Sequence, residues 1–477
     1  METITPTADY EKAFAQFVQN YPDYLTTTRL DELRQTEYAR LDRQGMVYLD
    51  YTGGGLYAES QIQQHMALLR DNVFGNPHSS NPSSMLATCL AEQAREAVLE
   101  YFNASPEEYV VIFTSNASGA LKLVGESFPF SNGSRYLLTF DNHNSVNGIR
   151  EFARARGAQV TYIPVCLPEL RVDDGQMDDH LSLIQPGNQN LFAFPAQSNF
   201  SGVQHPLDWI ERAHARGWYV LLDGAAFVPT NRLDLSQVKP DFMPISFYKM
   251  FGYPTGIGCL VARRSALGLL HRPWFAGGTI TVASVQGDKY YLAPGEAAFE
   301  EGTLNYLGLP AVEIGLRYLQ SVGLDIIHTR VHCLTGYLLD SLSNLQDDLG
   351  HEGARIYGPL HTDRRGGTIT LNFYDGHNHL VDHRKVEQRT NLANISIRTG
   401  CFCNPGAGEV ALEISQPELM TCFSQSTERL TLDDYASALM AKTPGQCAFR
   451  WAWPAILPMS INSWATSGNY SGIHWSN

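Results

Sequence analysis

One lysine in this chain stands where an amine could do chemistry. Lys249 follows an apolar run and sits among aromatic residues in ISFYKMFGYPTGIG (245–258), just ahead of a Gly/Pro loop. A lysine that loses hydration has a depressed pKa and becomes a usable amine nucleophile. The same setting also suits a lysine whose stem simply carries its charge out to water. Asp223 closes the apolar run WYVLLD (218–223) and precedes GAA. A carboxylate there points into a ligand crevice at a strand end, or else caps a helix. In FTSNASGALKLV (113–124) a strand-like run passes through small residues into a helical pattern. Backbone N–H groups and the hydroxyls of Ser118 and Ser246 would suit a phosphate there, with capping by Ser115 or Asn116 as the ordinary alternative. The loop RTGCFCNPGAG (398–408) carries Cys401 and Cys403. A loop thiol beside cationic groups ionises to a nucleophile. Cys89, Cys166, Cys259 and Cys333 lie in apolar segments better suited to inert thiols. Two cysteines without a nearby His or a second Cys pair are an incomplete zinc set, so no metal is expected.

The elements that must position these residues are legible as alternation. Short apolar runs at 109–114, 135–140, 159–165, 190–196, 218–223, 242–247 and 256–262 alternate with amphipathic stretches such as VNGIREFARAR and PLDWIERAHAR. That pattern predicts a mostly parallel sheet covered on both faces, with ligands at the carboxyl ends of its strands. A further helix, LPAVEIGLRYLQSVG, then strand 367–373, helix LVDHRKVEQRTNL and strand 394–399 predict a smaller α+β unit. The start of the chain is helical up to a short strand at 47–50. With 477 residues, two packed units are expected. Hydrophobic residues make up 44% and charged residues 17%, so much of the surface must be covered, as in an enzyme with a large subunit interface. A net charge of −15 argues against a nucleic-acid partner. No run has the ~18–20 apolar residues of a membrane span, and the first residues lack a basic-then-apolar leader. Eight irregularly spaced cysteines are no disulfide framework, so a cytoplasmic protein with reduced thiols is expected.

An amine, an acid at a neighbouring strand end and a phosphate-binding turn are what pyridoxal 5′-phosphate (PLP) requires of a protein. Together with YLDYTGGGLY (48–57), FGNPHSSNPSS (74–84), DNHNSV (141–146), AGGTI (276–280) and FEEGTLN (299–305), these stretches resemble the class V aminotransferase family of fold type I PLP enzymes. Within it, the chain is most similar to the cysteine desulfurase branch, and especially to the desulfurase domain of molybdenum cofactor sulfurases. The ordered blocks run from about 45 to 410. The resemblance implies a large PLP-binding domain over 71–304 with a seven-stranded sheet. A smaller α+β domain would span 305–445, with residues 1–70 belonging to it. Lys249 would carry the cofactor covalently, Asp223 would pair with the ring nitrogen, His143 would stack on the ring, and Asn199 would meet its hydroxyl. Ala117, Ser118, Ser246 and Tyr248 would lie near the phosphate. Thr279 would reach the phosphate of a second subunit, which implies a homodimer with its active site at the interface. Arg398 would help hold a substrate carboxylate. Cys403 falls at the position of the nucleophilic thiol, and Cys401 remains an alternative to it.

The reaction implied is removal of sulfur from L-cysteine as an enzyme persulfide, with release of alanine and onward transfer to an acceptor protein or cofactor. A PLP-dependent C–S lyase, epimerase or aminotransferase acting on a specialised small molecule stays open beside it, as does an inactive scaffold. Ala226 departs from the branch, which often has Gln there, and Gly408 stands where cofactor sulfurases usually have another Cys. The second domain of the full-length sulfurases is not recognisable, so delivery of sulfur to that cofactor is not expected from this chain alone. Residues 446–477 read as an atypical tail holding Trp451, Trp453, Trp464 and Trp475. Shifting the reading frame by two nucleotides from Cys447 permits a family-like ending with a substrate-carboxylate arginine. A frameshift near Gly445–Gln446 is therefore expected, with Arg450 only an accidental near-substitute.

Overall fold

The computed structural model describes residues 8–425, apart from 78, 185–186 and 347–352, together with 447–450. Seven strands form its central sheet: β1 (Tyr109–Thr114), β2 (Arg135–Thr139), β3 (Gln159–Ile163), β4 (Asn190–Pro195), β5 (Trp218–Asp223), β6 (Phe242–Ser246) and β7 (Gly258–Arg263). Their order across the sheet is β1-β7-β6-β5-β4-β2-β3. The pairs β6·β5, β5·β4, β4·β2 and β2·β3 are parallel, whereas β7 runs antiparallel to both β1 and β6. The expected α/β class with a mostly parallel seven-stranded sheet is therefore what the chain forms.

Why the strands read as unbroken apolar runs is visible in β4, where every residue is buried. Phe192 and Phe194 pack with Val220 and Leu222 in one apolar cluster, while Leu191 and Ala193 pack with Leu221 in another. Alternate side chains thus fill cores on opposite faces, and neither face can be polar. The edge strand β1 is closed by side chains rather than by an eighth strand. Arg95 donates to the Val111 carbonyl at 2.6 Å, Glu300 accepts the Phe113 N–H at 3.1 Å, and the two side chains pair at 2.6 Å. Backbone groups that would otherwise be buried without partners are satisfied in this way.

A second sheet has the order Ala354–Tyr357, Thr368–Phe373, Cys447–Arg450, Arg398–Thr399, all antiparallel. Val47–Tyr48 pairs in parallel with Ile395–Ser396. The N-terminal segment is also pinned by the buried Arg330 of helix Leu324–Ser343, which grips the Thr27 hydroxyl at 2.7 Å and the Asp31 carboxylate at 2.7 and 3.0 Å. Of the tail, Cys447–Arg450 forms a strand; the frameshift reading of the residues beyond it falls outside the described residues. Among the described residues no helix is long and apolar enough to cross a membrane.

Candidate active site

Strand polarity brings the carboxyl ends of β1, β2, β4, β5 and β6 to one edge of the sheet. Because β7 is reversed, its start at Gly256–Gly258 arrives at the same edge. A cavity of about 400 Å³ opens there. Its walls include Lys249, Asp223, His143 and Asn199, together with Ala117, Ser118, Ser246 and Tyr248.

Lys249 stands on the short helix Phe247–Phe251 that follows β6. Phe247, Met250 and Phe251 are buried, which leaves Tyr248 and Lys249 half-buried at the cavity. The helix ends at Gly252, whose φ of 77° and tight approach to the backbone of Leu56 and Tyr57 exclude a side chain. The glycines of TGGG serve the same packing: the Gly55 N–H donates to the Tyr248 carbonyl at 2.9 Å. A Cβ on Gly55 would come within 3.0 Å of the Lys249 carbonyl.

Asp223 is buried at the end of β5, and its Oδ1 accepts the Ala225 N–H at 3.0 Å. His143 caps the turn Asn144–Asn147, its Nδ1 accepting the Ser145 N–H at 3.1 Å. An accepting Nδ1 leaves the ring proton on Nε2. Burial pushes the His143 pKa down, the nearby Lys249 charge adds to this, and Asp223 opposes it. The imidazole is therefore held neutral at physiological pH. Helix Ala117–Ser127 also presents its N-terminus to the cavity. Asn116 is its cap, accepting the Gly119 N–H at 2.9 Å, so the capping alternative is present at this same helix N-terminus. The Ser118 and Ser145 hydroxyls lie 2.6 Å apart.

Other expected residues sit elsewhere or have other partners. Asn199 lines the cavity, but its amide is engaged by the cysteine loop: Nδ2 donates to the Phe402 carbonyl at 2.7 Å and Oδ1 accepts from Asn404 Nδ2 at 2.9 Å. Cys403 is exposed on that loop, while Cys401 is half-buried and its thiol pKa is raised by burial, with smaller contributions from Glu409 and Cys403. Arg398 lies outside the cavity wall, paired through Nε and Nη2 with Asp50 at 2.8 and 2.9 Å. Thr279 is also outside it. Its hydroxyl accepts the Ala276 N–H and donates to the Ala276 carbonyl, at 2.9 and 2.8 Å, at the root of the hairpin Ile280–Ser284/Lys289–Leu292. Sequence reasoning missed Ser145 and Gln197, which line the cavity two residues from His143 and Asn199. The two-residue spacing within DNHNSV (141–146) and within QSNFSG (197–202) was the available signal. Among the described residues no group of three His, Cys, Asp or Glu is placed to hold a metal ion.

The cavity thus offers an amine, a buried carboxylate, a neutral imidazole and a helix N-terminus. Among proteins of known role, the molybdenum cofactor sulfurase of Solanum lycopersicum is 36% identical over 442 residues, covering 85% of this chain and 54% of that protein. The one from Bos taurus is 40% identical over 410 residues, covering 81% and 46%. The chain thus spans about half the length of the curated relatives it matches. A cysteine desulfurase from Thermococcus onnurineus NA1, solved in its apo form, superposes with a TM-score of 0.74 at 22% identity, covering 93% of this chain and 98% of that one. The family model for class V aminotransferases matches residues 47–429, and with these relatives it places the chain in the class V aminotransferase family.

Proposed function

We propose that this chain is a PLP-dependent cysteine desulfurase, taking sulfur from L-cysteine onto Cys403 and releasing alanine. The observation that supports it most is the convergence of Lys249, Asp223, His143 and the Ala117–Ser127 helix N-terminus on one cavity. These residues fit the cofactor group by group. A buried carboxylate suits a protonated ring nitrogen, a neutral imidazole suits a ring face, a helix N-terminus suits a phosphate, and a half-buried amine suits an aldehyde.

When bound, PLP supplies an electron sink for charge developing beside the substrate amine. The protein's own residues do the rest. Asp223 would face the ring nitrogen and favour its protonated form. The Lys249 amine would be the base that takes the proton from the substrate Cα and later returns it. Cys403 approaches as thiolate: its Sγ forms a bond to the substrate sulfur as the carbon–sulfur bond breaks. The electron pair of that bond stays with the three-carbon fragment, which takes up a proton and leaves as alanine, and Cys403 is left as a persulfide. The exposure of Cys403, against the half-burial of Cys401, favours Cys403 for this role and for hand-over to an acceptor. A free thiol suits a reducing, cytoplasmic setting. Arg398 would serve a substrate carboxylate only by sharing its guanidinium with Asp50.

A homodimer belongs to the same reading. The hairpin after Thr279 exposes Val282, Val285, Tyr290, Tyr291 and Leu292, with Phe275 stacked on Tyr290 at 4.2 Å. An apolar hairpin of this kind needs a cover, and sedimentation of Val282→Asp should show dissociation.

The test is direct. With PLP, the wild-type chain should develop a visible absorbance band that Lys249→Ala lacks, and should release alanine from cysteine. Cys403→Ala should keep the band and lose alanine release. Undiminished release by Cys403→Ala would replace the desulfurase reading with a lyase or another PLP reaction; no band at all would leave a scaffold.

A further inference from the structure

We propose that Asn404 is the positioning residue of the thiol loop: one buried amide docks the loop against the cavity wall and so fixes where Cys403 is presented. The proposal rests on the desulfurase reading above. Asn404 is wholly buried. Its Nδ2 donates to the Asp141 carbonyl at 2.7 Å and to Asn199 Oδ1 at 2.9 Å, and its Oδ1 accepts the Ala407 N–H at 3.2 Å. Both donor hydrogens of the amide are thereby spent on the segment that carries His143 and on the cavity-lining Asn199.

The residues before it are tied to the same surfaces. The Asn144 N–H donates to the Cys403 carbonyl at 2.7 Å, and Asn199 donates to the Phe402 carbonyl. Phe402 and Cys403 both have left-handed backbones, with φ of 53° and 57°. That conformation is unfavourable for residues with a Cβ and persists only where the surroundings enforce it. Here the enforcement is the row of hydrogen bonds from 402 to 404. The anchor is itself rigid, because the Asp141 carboxylate is held by His205 at 2.9 Å with both side chains buried. Behind Asn404, Gly406 packs so closely on the Phe140 carbonyl that no side chain fits. The thiol loop is thus fastened to the end of β2 and to Asn199, and a persulfide-forming thiol needs that registration with the cavity.

An ordinary helix cap is the competing role for Asn404, and Asn404→Asp separates the two. The carboxylate keeps the acceptor for the Ala407 N–H but aims oxygen at two acceptors, Asp141 O and Asn199 Oδ1. The holoenzyme of Asn404→Asp should keep its visible band and a near wild-type KM for cysteine. Its kcat for alanine release should fall on the order of 100-fold, the loss expected for a misplacement near 1 Å. In the apo chain, amide hydrogen exchange at 402–404 should quicken about tenfold or more. Wild-type kcat together with wild-type exchange would overturn the proposal. Should Asn404→Asp not fold, Asn404→Ser, which retains a cap and lacks Nδ2, should give the same split, and its wild-type kcat would overturn the proposal equally. If the wild-type chain releases no alanine, the desulfurase reading falls, while loop exchange in the apo variants still decides the docking role.

Discussion

Gly258→Ala should weaken cofactor binding by a push from behind the turn proposed to hold the phosphate. A Cβ on Gly258 would lie 2.6 Å from the Asn116 carbonyl carbon, 2.7 Å from the Ile245 oxygen and 2.8 Å from the Ala117 nitrogen, all backbone atoms. Those distances fall about 0.6–0.8 Å short of the 3.4 Å at which ordinary contact begins. Ile245 belongs to β6, locked between β7 and β5, so the Asn116–Ala117 turn is the side that must retreat. Forcing a methyl into such a site costs about 1–3 kcal/mol of stability. The larger effect is on the phosphate, because a hydrogen bond to a charged group contributes about 1.5–3 kcal/mol. Losing one N–H contact would raise the PLP dissociation constant roughly 10- to 150-fold. Titration of the apo chain with PLP, followed by absorbance and paired with thermal unfolding, measures both. Gly277→Ala is the control, since a methyl there meets nothing within 4 Å. A folded Gly258→Ala protein with unchanged PLP affinity would refute the placement of the phosphate at this turn.

Two further outcomes follow from buried charge. Glu300→Leu removes the buried carboxylate beside Arg95, leaving the half-exposed Glu92 as its counter-charge, and orphans the Phe113 N–H, so unfolding free energy should drop by up to about 3–5 kcal/mol, and Arg95→Met added to it should restore part of the loss in denaturant titrations. For His143, the folded pKa lies below the ordinary 6.5, so the unfolded chain binds the proton more readily. Its contribution to stability is present above about pH 6.5 and is lost as pH falls through the folded value. Against His143→Asn, which keeps a cap acceptor, the wild-type unfolding midpoint should therefore decline more steeply below pH 6.5; parallel curves would show that His143 does not titrate as inferred.

Legibility in the sequence followed the range of the interaction. Lys249, Asp223 and the 115–118 turn were readable because each is the terminus of an apolar run, and a parallel sheet gathers such termini on one edge. The antiparallel sense of β7 was not readable: GCLVAR is buried through its first five residues, and such a run has no polar face to betray its direction. The partners of Asn199 and Arg398 were equally hidden. Asn199 bonds Phe402 and Asn404 some 200 residues on, and Arg398 meets Asp50 across 348 residues. Those pairs form only where the cysteine loop docks beside the first sheet and where Val47–Tyr48 pairs with Ile395–Ser396. The hairpin 280–292 escaped notice as strands because it has no buried face of its own, with Val285 fully exposed at its tip.

The same division bears on what a cavity of this kind can do. The groups that line the cavity sit at or just beyond the ends of strands buried on both faces, where displacement would disturb a close-packed core. The thiol instead sits on a loop of strained backbone held by a few amide contacts, chiefly those of Asn404 and Asn199. PLP chemistry begins alike for many reactions, so the outcome is decided by which protein group stands next to the activated substrate. On the reading proposed above, loop docking rather than cavity shape would make that choice in this chain. Substitutions along 401–406 should therefore redirect or stall the reaction while the cofactor's absorbance stays intact. Substitutions at Lys249, Asp223 or Gly258 should change the absorbance first.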